Sequence, residues 1–375
     1  CLLESIYFSL TLNLIGVFCA LNWRGYFYAK ELFICYSLGI LASVIIALIS
    51  DYYSKIAHKP IKSITNQVED SQMISLVGAF SESLISNAVF LILLFVLGTV
   101  SYNILGVYGL ALSALGLVSV INSLITANVF AAICDQLMGL KSLVKEDSYK
   151  LTQVHALFKL GRTVLPLGNG FATGMALFSS MTLLMVLFVH YFSSGIYFNQ
   201  FVFLGLLFGV VSGLVFAASI MKGTTISAQK ILAESKRQLK EIPYLLEGKS
   251  FPDMFKAGNL HAITSLKVLT IPSLWLIVLP IGLYFLLGIE FLAGYVIGVF
   301  VIGLSQAFSW ASFGDIFQAI YINMMTGRLG GSESKVFKRI ESNSQFTSVF
   351  NESLSPSFNI LLKTMPILVI FIGYK

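Results

Sequence analysis

The stretch VLTIPSLWLIVLPIGLYFLLGIEFLAGYVIGVFVIG (268–303) decides the fold class. It reads as two apolar runs, 268–287 and 290–312, meeting at a connection that holds no Lys or Arg. Neither run alternates with period two, so lipid-facing barrel strands are excluded. Each run is long enough to cross the roughly 30 Å hydrocarbon core as a helix. The rest of the chain agrees. Of its 375 residues 57% are apolar and only 11% charged, against roughly 25% charged in a soluble domain. Mean hydropathy is +0.85. So few charges cannot cover a water-facing surface, so lipid is the main solvent. Soluble enzymes, nucleic-acid binders, disulfide scaffolds and disordered tails are excluded.

Seven further runs complete the pattern: 5–22, 32–50, 75–101, 106–133, 164–191, 200–221 and 357–374. The expectation is an all-α polytopic transmembrane bundle of about nine spans, forming one domain over 1–375. The net charge of +6 comes from a few connections. Lysine and arginine crowd those after the second, fourth, sixth and eighth spans, and the connections after the third, fifth and seventh have none. Positive residues favour the cytoplasmic side. This places the four basic loops in the cytoplasm and the C-terminus outside, with Arg24 and Lys30 a mild exception. Within the 222–267 loop, Thr225 to Leu246 is amphipathic at helical period, with Pro243 limiting it. It reads as a cytoplasmic extension of the sixth span, with a membrane-surface or partner-binding role as the alternative. The four cysteines form no CxxC pair and read as small buried hydrophobes. The chain opens at Cys1, almost inside an apolar run and without a signal-peptide pattern, as expected of a piece of a longer chain.

Ionisable groups within or beside spans are costly and therefore informative. Glu82, Asp135, His190, Asp315 and Lys363 are of this kind. Lys363 either snorkels to the interface or serves inside the bilayer. Glycine and alanine recur at three- or four-residue spacing in GVYGLALSALG, GNGFATGMA and AGYVIGVFVIG, which permits close helix packing.

Four strings taken together resemble the membrane-integral pyrophosphatases, the proton or sodium pumps driven by pyrophosphate. They are GVYGLALSALGLVSV (106–120), GNGFATGMAL (168–177), KRQLKEIPYLLEGKSFPDM (236–254) and SPSFNILLK (355–363). Weaker matches are ISDYYSKIAHKPIKSI (49–64) and FSESL (80–84). They run in the family's order from about residue 35 to the C-terminus. The resemblance implies sixteen helices in the family, of which these are the last nine. It also implies a homodimer in a lipid bilayer, pyrophosphate as substrate, Mg2+ as cofactor, and a missing N-terminal half bearing the motif DVGADLVGK.

Carried over position by position, most of the acidic site is changed. Where the family reads DAYGPISDNAGG, this chain reads NVFAAICDQLMG, with Asn128 for the first Asp, Asp135 kept and Gln136 for Asn. TDALDAVGNTTAAIGKGFA becomes VHALFKLGRTVLPLGNGFA, which places His155 and Phe158 at two aspartates, Arg162 at an Asn and Asn169 at a Lys. ANAGGAWDNAKK becomes ASFGDIFQAIYI, with Gln318 at the Asp. In the last loop Ser344 and Ser348 replace aspartates, Asn351 replaces a Lys and Glu352 an Asp, while Asn359 and Lys363 persist.

The resemblance thus leaves Asp135 and Glu352 as residual catalytic and metal-ligating groups. It assigns Lys338 and Asn359 to substrate and Lys363 to the ion gate. Losing carboxylates removes the charged oxygens that hold magnesium. The expected product is a pyrophosphatase-family protein, incomplete and catalytically impaired. The alternatives are a non-catalytic scaffold or dimer partner of that descent, and an unrelated secondary transporter. The cytoplasmic ends of the fourth, fifth, eighth and ninth spans are expected to converge around Asp135, Asn169, Gln318, Glu352 and Lys363.

Overall fold

A computed structural model describes residues 2–55, 57–141, 148–191, 199–245, 247, 249–325 and 334–373. Among these residues all regular structure is helical. In chain order the helices are α1 (Leu2–Arg24), α2 (Ala29–Ser54), α3 (Lys59–Asp70), α4 (Gln72–Leu105), α5 (Val107–Val118) and α6 (Ile121–Lys141). They continue with α7 (Ser148–Tyr191), α8 (Gln200–Glu241), α9 (Met254–Met325) and α10 (Lys335–Val349). A π-helical turn, Phe350–Leu354, then leads into α11 (Ser355–Gly373).

Five of the described helical stretches are long and apolar enough to cross a membrane: Ala29–Asp70, Gln72–Leu105, Ala156–Val189, Gln200–Glu241 and Met254–Met325. The last holds both runs of the opening stretch. Its backbone leaves helical geometry at Gly288, where φ is +82°, a conformation that glycine adopts without a Cβ clash. The expected fourth span, by contrast, is not one helix. It is interrupted between α5 and α6, where Ser119 turns back on Gly116: its amide N–H (3.3 Å) and its hydroxyl (2.6 Å) both donate to the Gly116 carbonyl. A serine hydroxyl competing locally for a backbone acceptor favours such an interruption. The amphipathic stretch after residue 222 continues α8 unbroken to Glu241, and Pro243 lies just beyond the helix end. Cys35 and Cys134 are buried, as expected, while Cys19 is exposed.

The chain divides into two compact units, Cys1–Ile196 with Gly303–Pro366, and Tyr197–Ile302 with Ile367–Lys375. In the first, polar side chains tie helices together across apolar surroundings. Ser113 donates to the Cys35 carbonyl at 2.8 Å. The Asn87 amide donates to the Ser305 carbonyl at 3.1 Å, and the Ser180 hydroxyl to that of Leu362 at 2.7 Å. Phe90 stacks on Phe308 with ring centroids 4.1 Å apart. Arg339 on α10 donates to the Val68 and Glu69 carbonyls in the last turn of α3, a cation on the negative end of a helix.

In the second unit, α8 and the second limb of α9 meet backbone to backbone. A Cβ placed on Gly209 would stand 2.1 Å from the Tyr295 carbonyl oxygen, and one on Gly294 2.1 Å from that of Val202. Below these contacts a polar lock closes the hairpin formed by the α8 extension and the start of α9. The buried Gln238 amide donates to the Asp253 carbonyl, and its oxygen accepts the Asp253 N–H at 2.9 Å. The Arg237 guanidinium grips Glu234 through Nε (2.9 Å) and Nη2 (2.6 Å).

The steric reading has a direct check. Gly209→Ala forces two backbones apart and is expected to cost about 1–3 kcal/mol, read as a lowered thermal midpoint in detergent. Gly258→Ala, which meets nothing within 4 Å, is expected to leave the midpoint unchanged or to raise it slightly.

Candidate functional site

Three elements of the first unit bring their polar residues together: α7, the last part of α9, and the π-helical turn before α11. Each has a local reason for opening there. In α7, Pro166 has no N–H to give to the carbonyl four residues earlier, that of Arg162. The π-helical turn bonds the Ser355 N–H back to the Phe350 carbonyl, widening the backbone at Asn351 and Glu352. Such turns inside helices recur at functional sites.

At the centre lies Asp315, 5% exposed. Its Oδ1 accepts two side-chain amides, from Asn351 Nδ2 at 2.6 Å and from Asn169 Nδ2 at 3.2 Å. The same Asn169 amide also donates to Asn351 Oδ1 at 2.8 Å, which closes a three-residue ring. A buried carboxylate is costly unless donors surround it, and here neutral amides supply them.

Beside the ring sits a second group. Arg162 Nη1 donates to Gln318 Oε1 at 2.8 Å and reaches Glu352 Oε1 at 3.5 Å. Gln318 Nε2 donates to the same Glu352 oxygen at 3.3 Å. The Arg162 guanidinium also lies over the Phe158 ring, 5.8 Å from its centroid. Ser344 joins Phe158, Arg162 and Gln318 around a small pocket of about 70 Å³. One turn further along α7, Thr173 accepts the Asn359 amide at 3.2 Å, and the Asn359 Oδ1 is buried with no partner found.

Of the positions expected to converge, Asn169, Gln318 and Glu352 do so, joined by Phe158, Arg162, Ser344 and Asn351. Lys338 is exposed on α10 and Lys363 is exposed on α11. Ser348 bonds only locally, its hydroxyl donating to the Gln345 carbonyl. Asn128 packs against Gly168, with its Oδ1 buried and no partner found. The side chains of Asp135, Gln136 and His155 lie outside the described residues. Sequence reasoning noted Asp315 beside its span but left it out of the site. The available signal was an aspartate three residues before Gln318, on the same helical face.

The fit to magnesium can be judged from these donors. Mg2+ demands several oxygen ligands at near-octahedral geometry. Here N–H groups already point at one carboxylate oxygen of Asp315 and one of Glu352. Among the described residues no three His, Cys, Asp or Glu side chains gather as a cage. The described part of the site does not fit the cation.

A double-mutant cycle checks the central ring. Asn351→Leu leaves Asp315 one donor short and is expected to cost about 2 kcal/mol of stability. With Asp315→Leu already in place, the same substitution is expected to cost markedly less, the coupling read from denaturation midpoints in detergent being about 1–3 kcal/mol.

Comparison with known proteins places this geometry in a lineage. The family model described as "Inorganic H+ pyrophosphatase" matches residues 1–372. A relative from Thermotoga maritima named as a K(+)-stimulated pyrophosphate-energized sodium pump is 27% identical over 351 residues, covering 88% of this chain and 47% of the relative. One from Methanosarcina mazei, named as a K(+)-insensitive pyrophosphate-energized proton pump, is 22% identical over 347 residues, covering 88% and 51%. The chain thus spans about half the length of the curated relatives it matches. With the match running over almost its full length, the chain belongs to the inorganic H+ pyrophosphatase family of membrane proteins.

Proposed function

We propose that this chain corresponds to the C-terminal half of a pyrophosphate-energised ion pump in which the magnesium-diphosphate cradle has been dismantled and the helical shell retained. The observation that carries the reading is the bonding of Asp315. A carboxylate meant for a metal presents its lone pairs to open space, whereas this one presents an oxygen to two asparagine amides. Glu352 is likewise engaged, by Arg162 and Gln318. At Asn169 and Asn351 neutral amides stand where the family carries lysines, so charge is lost on the phosphate side as well. Hydrolysis of a magnesium complex needs both sets, because electrostatic stabilisation of the transferring phosphoryl group dominates such catalysis.

On this reading the four basic connections face the cytoplasm, Lys363 stands at the family's gate position with no ion-pair partner among the described residues, and the molecule pairs as a homodimer. The remaining function is that of a membrane-embedded shell or partner.

The test is an assay of phosphate release from pyrophosphate with Mg2+, in membranes carrying the full-length protein. The Thermotoga maritima pump is measured alongside. The expected rate is at least about a hundredfold below that of the working pump. A comparable rate overturns the proposal.

A further inference from the structure

In the second unit the hairpin between α8 and α9 ends in exposed aromatic and apolar side chains. Phe251 is 94% exposed and Phe255 85%, and Tyr244 and Met254 near them in the chain are exposed too. Large apolar side chains grouped in water mark an interaction surface. We propose that this hairpin end docks a separate protein whose contact face is an apolar pocket rimmed by carboxylates, with Phe251 and Phe255 as the anchors. The proposal goes beyond the reading above and does not depend on the fate of the magnesium cradle.

The protein's own bilayer is out of reach of this end. The apolar run of the sixth span closes near residue 221, yet α8 continues unbroken to Glu241. Residues 222–241 rise about 30 Å at about 1.5 Å per residue. Even at a tilt of about 40° the hairpin end stands about 20 Å or more from the hydrocarbon edge, well past a Debye length of about 8 Å. The end is also preformed. Tyr244 holds a left-handed backbone at φ +61°, a costly conformation for a residue with a Cβ. Its carbonyl accepts the Glu247 and Lys249 amides, both at 3.2 Å, and the Lys249 ammonium lies over its ring, 5.6 Å from the centroid. The Ser250 hydroxyl donates to the Pro243 carbonyl at 2.6 Å. With Gln238 bonded to the Asp253 backbone as well, little ordering entropy is left to lose on binding.

Charge selects the partner. Residues 222–267 hold eight Lys and Arg against four Asp and Glu, and all four acids are engaged within the hairpin. Glu234 and Glu241 pair with Arg237, Glu247 pairs with Lys249, and Asp253 Oδ1 accepts the Lys256 N–H. Lys236, Lys240 and Lys256, by contrast, have no ion-pair partner among the described residues. The anchors are thus flanked by cations that the hairpin itself leaves unpaired. A second copy would set one basic end against another, which like-charge repulsion opposes. A carboxylate-rimmed face is attracted instead. Aromatic anchors filling an apolar pocket inside a charged rim are the common arrangement of a protein–protein interface.

The experiment puts the photoreactive residue p-benzoylphenylalanine in place of Phe251, in the full-length protein in cells of its own organism. The cells are irradiated and the adduct is sequenced. The expected adduct is to a separate polypeptide, at an acidic segment that also carries apolar residues. That polypeptide, once purified, is expected to bind the protein in nanodiscs of zwitterionic lipid. Binding is expected to weaken about tenfold in Phe255→Ser and about tenfold in Lys240→Glu combined with Lys256→Glu, and to persist in Lys240→Arg combined with Lys256→Arg. An adduct to a second copy, to another segment of the same chain or to lipid overturns the assignment, as does no adduct at all. Binding of the purified polypeptide that is indifferent to the charge reversal overturns it too. So does binding of phosphatidylserine vesicles to the nanodisc protein that is lost in Phe255→Ser, which would make a lipid surface the occupant.

Discussion

The first unit is organised around one carboxylate, the only one buried there among the described residues, and the amide donors that hydrogen-bond it. Asp315 lies among apolar helices, where an unpaired charge would cost several kcal/mol. Asn169 and Asn351 offset part of that cost by aiming amide hydrogens at one of its oxygens. Those two amides come from α7 and from the π-helical turn, while the acid comes from α9. The ring therefore fixes three elements in one register. Arg162, Gln318 and Glu352 repeat the arrangement on the next layer, with a guanidinium as the donor. In both layers the protein itself supplies the positive end of each contact to oxygen. A site so satisfied has little electrostatic reason to recruit a divalent cation.

On the proposed reading, the retained shell and the altered site follow different physics. Helix packing in lipid depends on small residues and close backbones, and those survive, as at Gly209 against Tyr295 and Gly294 against Val202. Catalysis of the family's kind depends on clustered carboxylates, which packing alone does not require. Replacing them with amides, serine or phenylalanine leaves the helices able to associate, because each substitution removes a charge that had to be desolvated. On that reading Arg162 goes further, since it bridges α7 to Gln318 and Glu352 at a position where the resemblance places an asparagine.

Much of this was legible in the sequence, and the failures have identifiable causes. The apolar runs gave the helical class directly, and the short connection expected between the runs 268–287 and 290–312 falls where the backbone leaves helical geometry at Gly288. The interruption at Ser119 was not legible, because it depends on a local hydroxyl bond within an unbroken apolar run. The polar cluster could be foreseen at Asn169, Gln318 and Glu352 through the motif resemblance. Asp315 escaped because position-by-position comparison put the family's aspartate at Gln318 and so drew attention away from its neighbour. The π-helical turn at Phe350–Leu354 leaves no periodic signature, yet it carries both Asn351 and Glu352. Lys363 could be placed in its span from sequence, whereas Lys338, read as part of a connection, lies on α10; which groups face them depends on tertiary packing that periodicity does not encode.

The central claim is that protein N–H donors have taken over the contacts a metal would make. Manganese, a paramagnetic stand-in for magnesium, tests it most directly. Electron paramagnetic resonance of the purified protein titrated with Mn2+ should show the signal of the free ion throughout, with no stoichiometric bound fraction. A bound fraction that saturates at one or more ions per chain and disappears in Asp315→Asn or Glu352→Gln would contradict the claim.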